Sequence, residues 1–214
     1  MTTSHTHPSA SLSRVMRRLA GGIYFACVAF PLAAFADPDF SNLDNPAVVK
    51  KPVVGITRGL TFKPAGTPRT SATRTYNVTR GVVTIEEVDG TVKELPYVVL
   101  PILFKYDSDE LLDAQSRENV SKAAAKLQEP NLRGARFIVE GHTSTEGAAD
   151  HNQALSDRRA KRVLNLLVTQ FGIEPSRLQA QGFGRNAPEV KPELNDEDRQ
   201  RNRRVLVVKE SNGP

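Results

Sequence analysis

The sequence predicts an α/β fold of the α+β sandwich type. The expected order is βαβαββ, a mixed sheet with helices on one face, preceded by a β-hairpin and a disordered basic linker. Three observations carry this prediction. From Tyr97 onward the apolar residues alternate between runs of strand length and stretches at helical spacing. Upstream of these, Asp89-Gly90 separates two β-rich runs, Val82–Val88 and Thr91–Leu95. Between Asn45 and Ile85 lie seven basic residues, no acid, and recurrent Pro and Gly that break any period.

The elements follow in order. Tyr97–Lys105 is a continuous apolar run of strand length. Ser116–Gln128 sets Val120, Ala123, Ala124 and Leu127 at helical spacing, and Pro130 stops it. Ala135–Thr143, centred on Phe137, Ile138 and Val139, reads as a strand. Asp150–Phe171 reads as a long helix with Asp150 as N-cap and Gly172 closing it. Arg177–Phe183 and Asn202–Lys209 supply the last two strands.

Residues 1–36 read as a cleavable secretory signal peptide: Arg17-Arg18, an apolar stretch from Leu19 to Phe35, and a small-x-small end at Ala34-Phe35-Ala36. Met16 offers an alternative start that leaves a compact leader. The stretch is short and interrupted by Pro31, which argues against a membrane span. Cys27 is the only cysteine, so the mature chain forms no disulfide; Tyr24 and the continuing apolar run argue against lipidation there.

The leader supplies +3 of the formal charge of +5. The remainder is almost balanced, which argues against a nucleic-acid partner. Residues 37–81 form the basic linker, with Lys50, Lys51, Arg58, Lys63, Arg69, Arg74 and Arg80. It reads either as a solvated tether or as a segment lying on an anionic surface or an envelope protein. Ile56-Thr-Arg-Gly-Leu60 is echoed at Val78–Val82, but two copies make no repeat architecture. No series of alternating segments is present that could form a membrane barrel.

The long helix holds the most informative detail. Leu155, Ala160, Val163, Leu166 and Leu167 form its packing stripe, and Asn152 and Arg159 project from that same stripe. Asp157, Arg158 and Lys161 project away from it. An inward arginine needs a partner, either an internal carboxylate or a ligand, and Asn152 either caps the helix or contacts that ligand. The turn Gly141-His-Thr-Ser-Thr-Glu-Gly147 leaves a central strand and enters this helix, a natural place for a pocket with free N–H groups and hydroxyls.

These residues have a familiar pattern. Glu140-Gly-His-Thr-Ser-Thr-Glu-Gly147, Asn152–Ala160 with Val163, Gly172-Ile173, Gln181-Gly-Phe-Gly184 and Asn202-Arg-Arg-Val205 resemble the OmpA C-terminal-like family of peptidoglycan-binding domains. The resemblance implies an OmpA-like domain over 97–210, after a hairpin at 82–96 and before a tail at 211–214. It also implies non-covalent binding of the peptide stem, through the ammonium and carboxylate of diaminopimelate, by an envelope protein in the periplasm or at the outer membrane. Carried over residue by residue, Thr143, Asn152 and Arg159 match ligand-contacting positions; Arg203, at the start of the last strand, reads either as a solvated basic strand end or as a second anion contact near Arg159.

One position departs from the pattern: the family has Asp where this chain has Ser144. Glu146 or Asp150 could supply the missing carboxylate, the ligand could be a variant stem, or the pocket could be inactive in an adaptor for envelope proteins. No cofactor and no metal are expected, since His142, His151, Glu140 and Glu146 match no zinc or calcium spacing. No nucleophile motif points to catalysis, and Gly182-Phe-Gly184 lacks the lysine of a phosphate loop. A flagellar stator role, which the family includes, would require a retained membrane helix.

Overall fold

The computed structural model describes residues 38–51 and 73–212. The leader, with Cys27 and both start codons, and the central part of the linker, with Ile56–Leu60, lie outside the described residues. The strands are β1 (Val48–Lys50), β2 (Thr73–Asn77), β3 (Val82–Glu86), β4 (Val92–Leu100), β5 (Arg136–Gly141), β6 (Leu178–Gly182) and β7 (Val205–Ser211). The helices are α1 (Ala114–Leu127), α2 (Ala149–Thr169) and α3 (Asp196–Asn202). The sheet order is β2-β3-β4-β7-β5-β6, with β1 also paired to β4. β5 and β6 run parallel and the other pairs antiparallel, so the mixed sheet and the α/β class are as the sequence predicts.

Strand alternation divides the core in two. On β7, Val205 and Val207 join Phe137, Val139, Val163 and Leu167 beneath α1 and α2, whereas Leu206 and Val208 join Ile138 on the other face. That second face is covered by Val83, Ile85, Leu95 and Tyr97 of β3 and β4, with Tyr76 packed against them. Among the described residues no helix is long and apolar enough to cross a membrane.

Several boundaries differ from the expected ones. Structure does not begin at Val82: part of the stretch expected as linker over 37–81 is folded. A 3-10 turn at Ser41–Asp44 buries Leu43 completely, and β1 and β2 extend the sheet. The reason is polar as much as apolar. Lys209 donates to the carbonyls of Leu43 and Asn45 (both 3.1 Å), and Lys126 pairs with Asp44 (2.8 Å). β4 runs unbroken through the expected 96/97 boundary, so the hairpin and the domain share one strand. It ends at Leu100, which pairs with Val205, the first residue of β7. β7 continues into the expected tail, as far as Ser211. The α2 N-cap is Ala148, which makes no side-chain cap bond, and Asp150 lies in the first turn instead.

α3 was not expected, because a wholly polar segment carries no apolar period. Its signal is capping: the Asn195 side chain accepts from Asp198 N (2.8 Å), acids fill the first turn and Arg199 and Arg201 the last.

The outer face holds a buried charge cluster. Glu140 of β5 is fully buried, ion-pairs with Arg74 of β2 and accepts from Tyr76 Oη (2.9 Å). Burial, reinforced by Glu140, pushes the Tyr76 pKa up and keeps it a donor. The His142 ring stacks on Phe183 (5.4 Å between centroids) and meets Tyr76 edge-on.

Two predictions follow from this cluster. Arg74→Met leaves a buried carboxylate unpaired and should cost about 3–5 kcal/mol in urea unfolding, against about 1–3 kcal/mol for Tyr76→Phe. Burial also pushes the His142 pKa below 6.5. The unfolded chain therefore takes up that proton first, and stability should fall as pH drops through 6.5. His142→Phe should flatten that slope in urea titrations on either side of it.

Candidate functional site: a cationic cleft at the strand ends

α2 sits unusually close to the ends of β5 and β6. A Cβ on Gly141 would collide with the Ser156 carbonyl, and one on Gly182 with the Ser156 hydroxyl and Asp157, so only glycine permits this approach. The contact is also bonded: Asp157 accepts from Gly182 N (2.7 Å) and Ser156 Oγ from Gly184 N (2.8 Å). Asp157 thus turns to the sheet end rather than projecting away from it. Held there, α2 brings Asn152 and Arg159, both expected to point inward, beneath the turn that follows β5; both are buried.

The turn is held from several sides. Thr143 N donates to Gly184 O (3.0 Å), and its hydroxyl to Ser144 O (3.0 Å). Asn152 does not cap α2; its amide donates to Glu146 O (2.6 Å) and Ser144 O (3.4 Å).

Arg159 is 8% exposed. Its Nε donates to Ser108 O (2.9 Å) and a terminal nitrogen to Lys105 O (3.4 Å), while the guanidinium lies 4.8 Å from the centre of the Phe104 ring. The loop after β4 therefore wraps the cation with carbonyls and an aromatic face. Among the described residues no carboxylate pairs with Arg159. Burial, reinforced by neighbouring Arg203, pushes its pKa down to about 10, so it remains charged at neutral pH. Arg203 donates to Gln200 Oε1 (3.0 Å) and likewise has no ion pair among the described residues.

Thr143, Ser144, Asn152, Arg159 and Arg203, the five expected contacts, all line one cleft of about 540 Å³. The two candidate substitute carboxylates fare differently. Glu146 reaches the cleft wall but is engaged by Arg199 (3.5 Å) and largely solvated. Asp150 is exposed on the first turn of α2 and does not line the cleft. The carboxylate on the cleft wall that sequence reasoning missed is Asp107, held at 2.7 Å from His151 Nε2 and placed by a left-handed backbone (φ 50°) that Asp tolerates. A trace of it was in the sequence, since Asp107-Ser-Asp109 follows an apolar run, but nothing linked it to a helix about fifty residues on.

Comparisons of the sequence with known proteins point to one family. A sequence model described as the OmpA family matches residues 103–203. The peptidoglycan-associated lipoprotein of Pseudomonas aeruginosa is 32% identical over 126 residues, 57% of this chain and 70% of that protein. Outer membrane porin F of the same organism is 34% identical over 114 residues, 53% of this chain but only 31% of the porin. The crystal structure of the peptidoglycan-associated lipoprotein from Burkholderia pseudomallei aligns with 51% of this chain and 88% of its own, at 23% identity and a TM-score of 0.45.

An unpaired cation under cover should weaken the empty protein. Arg159→Met, which keeps the contact with Phe104, should raise the unfolding free energy by about 1–2 kcal/mol in urea titrations of ligand-free protein.

Proposed function

This chain belongs to the OmpA family, and on that premise we propose that its cleft binds the peptide stem of peptidoglycan non-covalently, as part of an exported envelope protein. The carrying observation is Arg159, a buried guanidinium bonded to backbone carbonyls, with no carboxylate in ion-pair contact among the described residues, facing a cleft of about 540 Å³. The best partner for a planar cationic fork in that setting is a carboxylate from outside the chain, bound by paired charge-assisted hydrogen bonds.

A stem residue of the diaminopimelate type carries an ammonium beside its carboxylate. In this reading Arg159 takes the carboxylate, with Arg203 adding positive potential, and Asp107 takes the ammonium in place of the acid absent at Ser144. Ser144 and Thr143 offer neutral hydrogen bonds, worth less than the charged ones, about 0.5–1.5 against 1.5–3 kcal/mol. The activity is binding rather than catalysis: the His142 ring sits in the stack with Phe183 and Tyr76, whereas Ser144 lines the cleft. The name of the peptidoglycan-associated lipoprotein, which this chain matches over 70% of that protein's length, is consistent with the same partner.

Sedimentation with isolated sacculi tests the reading. The wild type should pellet, and Arg159→Ala and Asp107→Asn should each weaken binding by about tenfold or more. Ser144→Asp should tighten it, and Glu146→Gln should leave it unchanged. A wild type that stays in the supernatant while Ser144→Asp pellets would overturn the proposal in favour of an adaptor with an inactive pocket.

A further inference from the structure

The segment between β6 and α3 contributes no side chain to the cleft wall, yet one of its residues grips the turn that does. Glu193 accepts from Thr145 N through both oxygens (2.9 and 3.1 Å) and from the Thr145 hydroxyl (2.6 Å). The same carboxylate accepts from Asn202 Nδ2 (2.6 Å). Asn202 is fully buried and folds the segment back on itself: its Oδ1 accepts from Glu189 N and Val190 N, and its Nδ2 also donates to Val190 O. Glu193 is thus fixed from behind and presented to the residue next to Ser144.

We propose that Glu193 is a positioning residue for the stem cleft: anchored by Asn202, it fixes through Thr145 the turn that presents Thr143 and Ser144 to the ligand. This rests on the stem-binding reading above. Burial opposes the Glu193 charge, but hydrogen bonds from Asn202 and Thr145 outweigh it and hold the pKa below the usual carboxylate value. The groups around it are Arg199 on α3, which pairs with Glu146 and Asp196, together with the Thr145 and Asn202 donors. Asn152 holds the turn independently at Ser144 O and Glu146 O, so loss of Glu193 loosens the turn without dismantling it. Hydroxyl contacts to a small ligand depend on placement to within a few tenths of an ångström, so loosening acts on affinity.

Glutamine is the informative replacement. Its carbonyl can still accept from Thr145 N and Asn202 Nδ2, and its amide can donate to the Thr145 hydroxyl, which then serves as acceptor. The test is calorimetric titration of the full chain with a muramidase-released disaccharide tetrapeptide of the diaminopimelate type, well below the melting temperature, together with the Thr145 amide resonance. Glu193→Ala should weaken binding about tenfold and shift the Thr145 amide proton upfield, whereas Glu193→Gln should recover affinity to within about threefold. Unchanged affinity in Glu193→Ala, with or without a lower melting temperature, would overturn the proposal while leaving stem binding intact. Failure of Glu193→Gln to rescue would also overturn it, because the charge would then act directly. If the wild type itself does not bind the muropeptide, the stem reading fails and this inference falls with it.

Discussion

Arg159 is the residue around which the cleft is organised. A guanidinium removed from bulk water is tolerated only where its donors are satisfied and its charge is compensated or reserved for a partner. Here the carbonyls of Lys105 and Ser108 satisfy two donor positions and the Phe104 face cushions the cation, while among the described residues no carboxylate is in ion-pair contact and Asp107 and Asp109 act on it only from farther away. The loop after β4 takes its path around this group. The depth of the group is in turn set by the glycines that let α2 rest on the ends of β5 and β6.

The outer face uses the opposite arrangement. Glu140 is a buried charge there, and it is closed off within the chain by Arg74, Tyr76 and the neighbouring His142, with buried Arg204 against the Tyr76 ring and paired to Glu189. Two charged centres thus lie near the same strand end with different roles. The paired one fastens the ribbon of β2 and β3 over the sheet, while the other faces the cleft without an ion-pair partner among the described residues. Keeping them distinct requires the sheet between them, since β5 sends Glu140 to one face and Val139 to the other.

The segment before α3 adds a third layer of control. It lies behind the turn after β5 and meets it through the Glu193 carboxylate, so the turn is held by a residue far along the chain. The departure at Ser144 is local, but the structure around it is not diminished. Asp107 stands on the cleft wall, and Thr145 beside Ser144 is gripped from behind.

Much of this architecture was legible in the residue pattern. Apolar periods placed the four main strands and both long helices of the domain. The inward positions of Asn152 and Arg159 followed from helical geometry alone, because a fixed angle per residue decides which side chains share a face. The turn motif and its departure at Ser144 were legible because they are contiguous. Other features needed the tertiary structure. That Arg74 belongs to the fold rather than to a free tether depends on a partner 66 residues away in the chain. That Asp107, rather than Glu146 or Asp150, lines the cleft without engagement by Arg199 depends on how the loop after β4 closes over α2. α3 carries no apolar period, so its place was set by capping and by Asn202. Sequence determines faces and periods because these are properties of local backbone geometry; which charges meet is decided only when distant segments share one low-dielectric space, where an unpaired charge costs far more than it does in water.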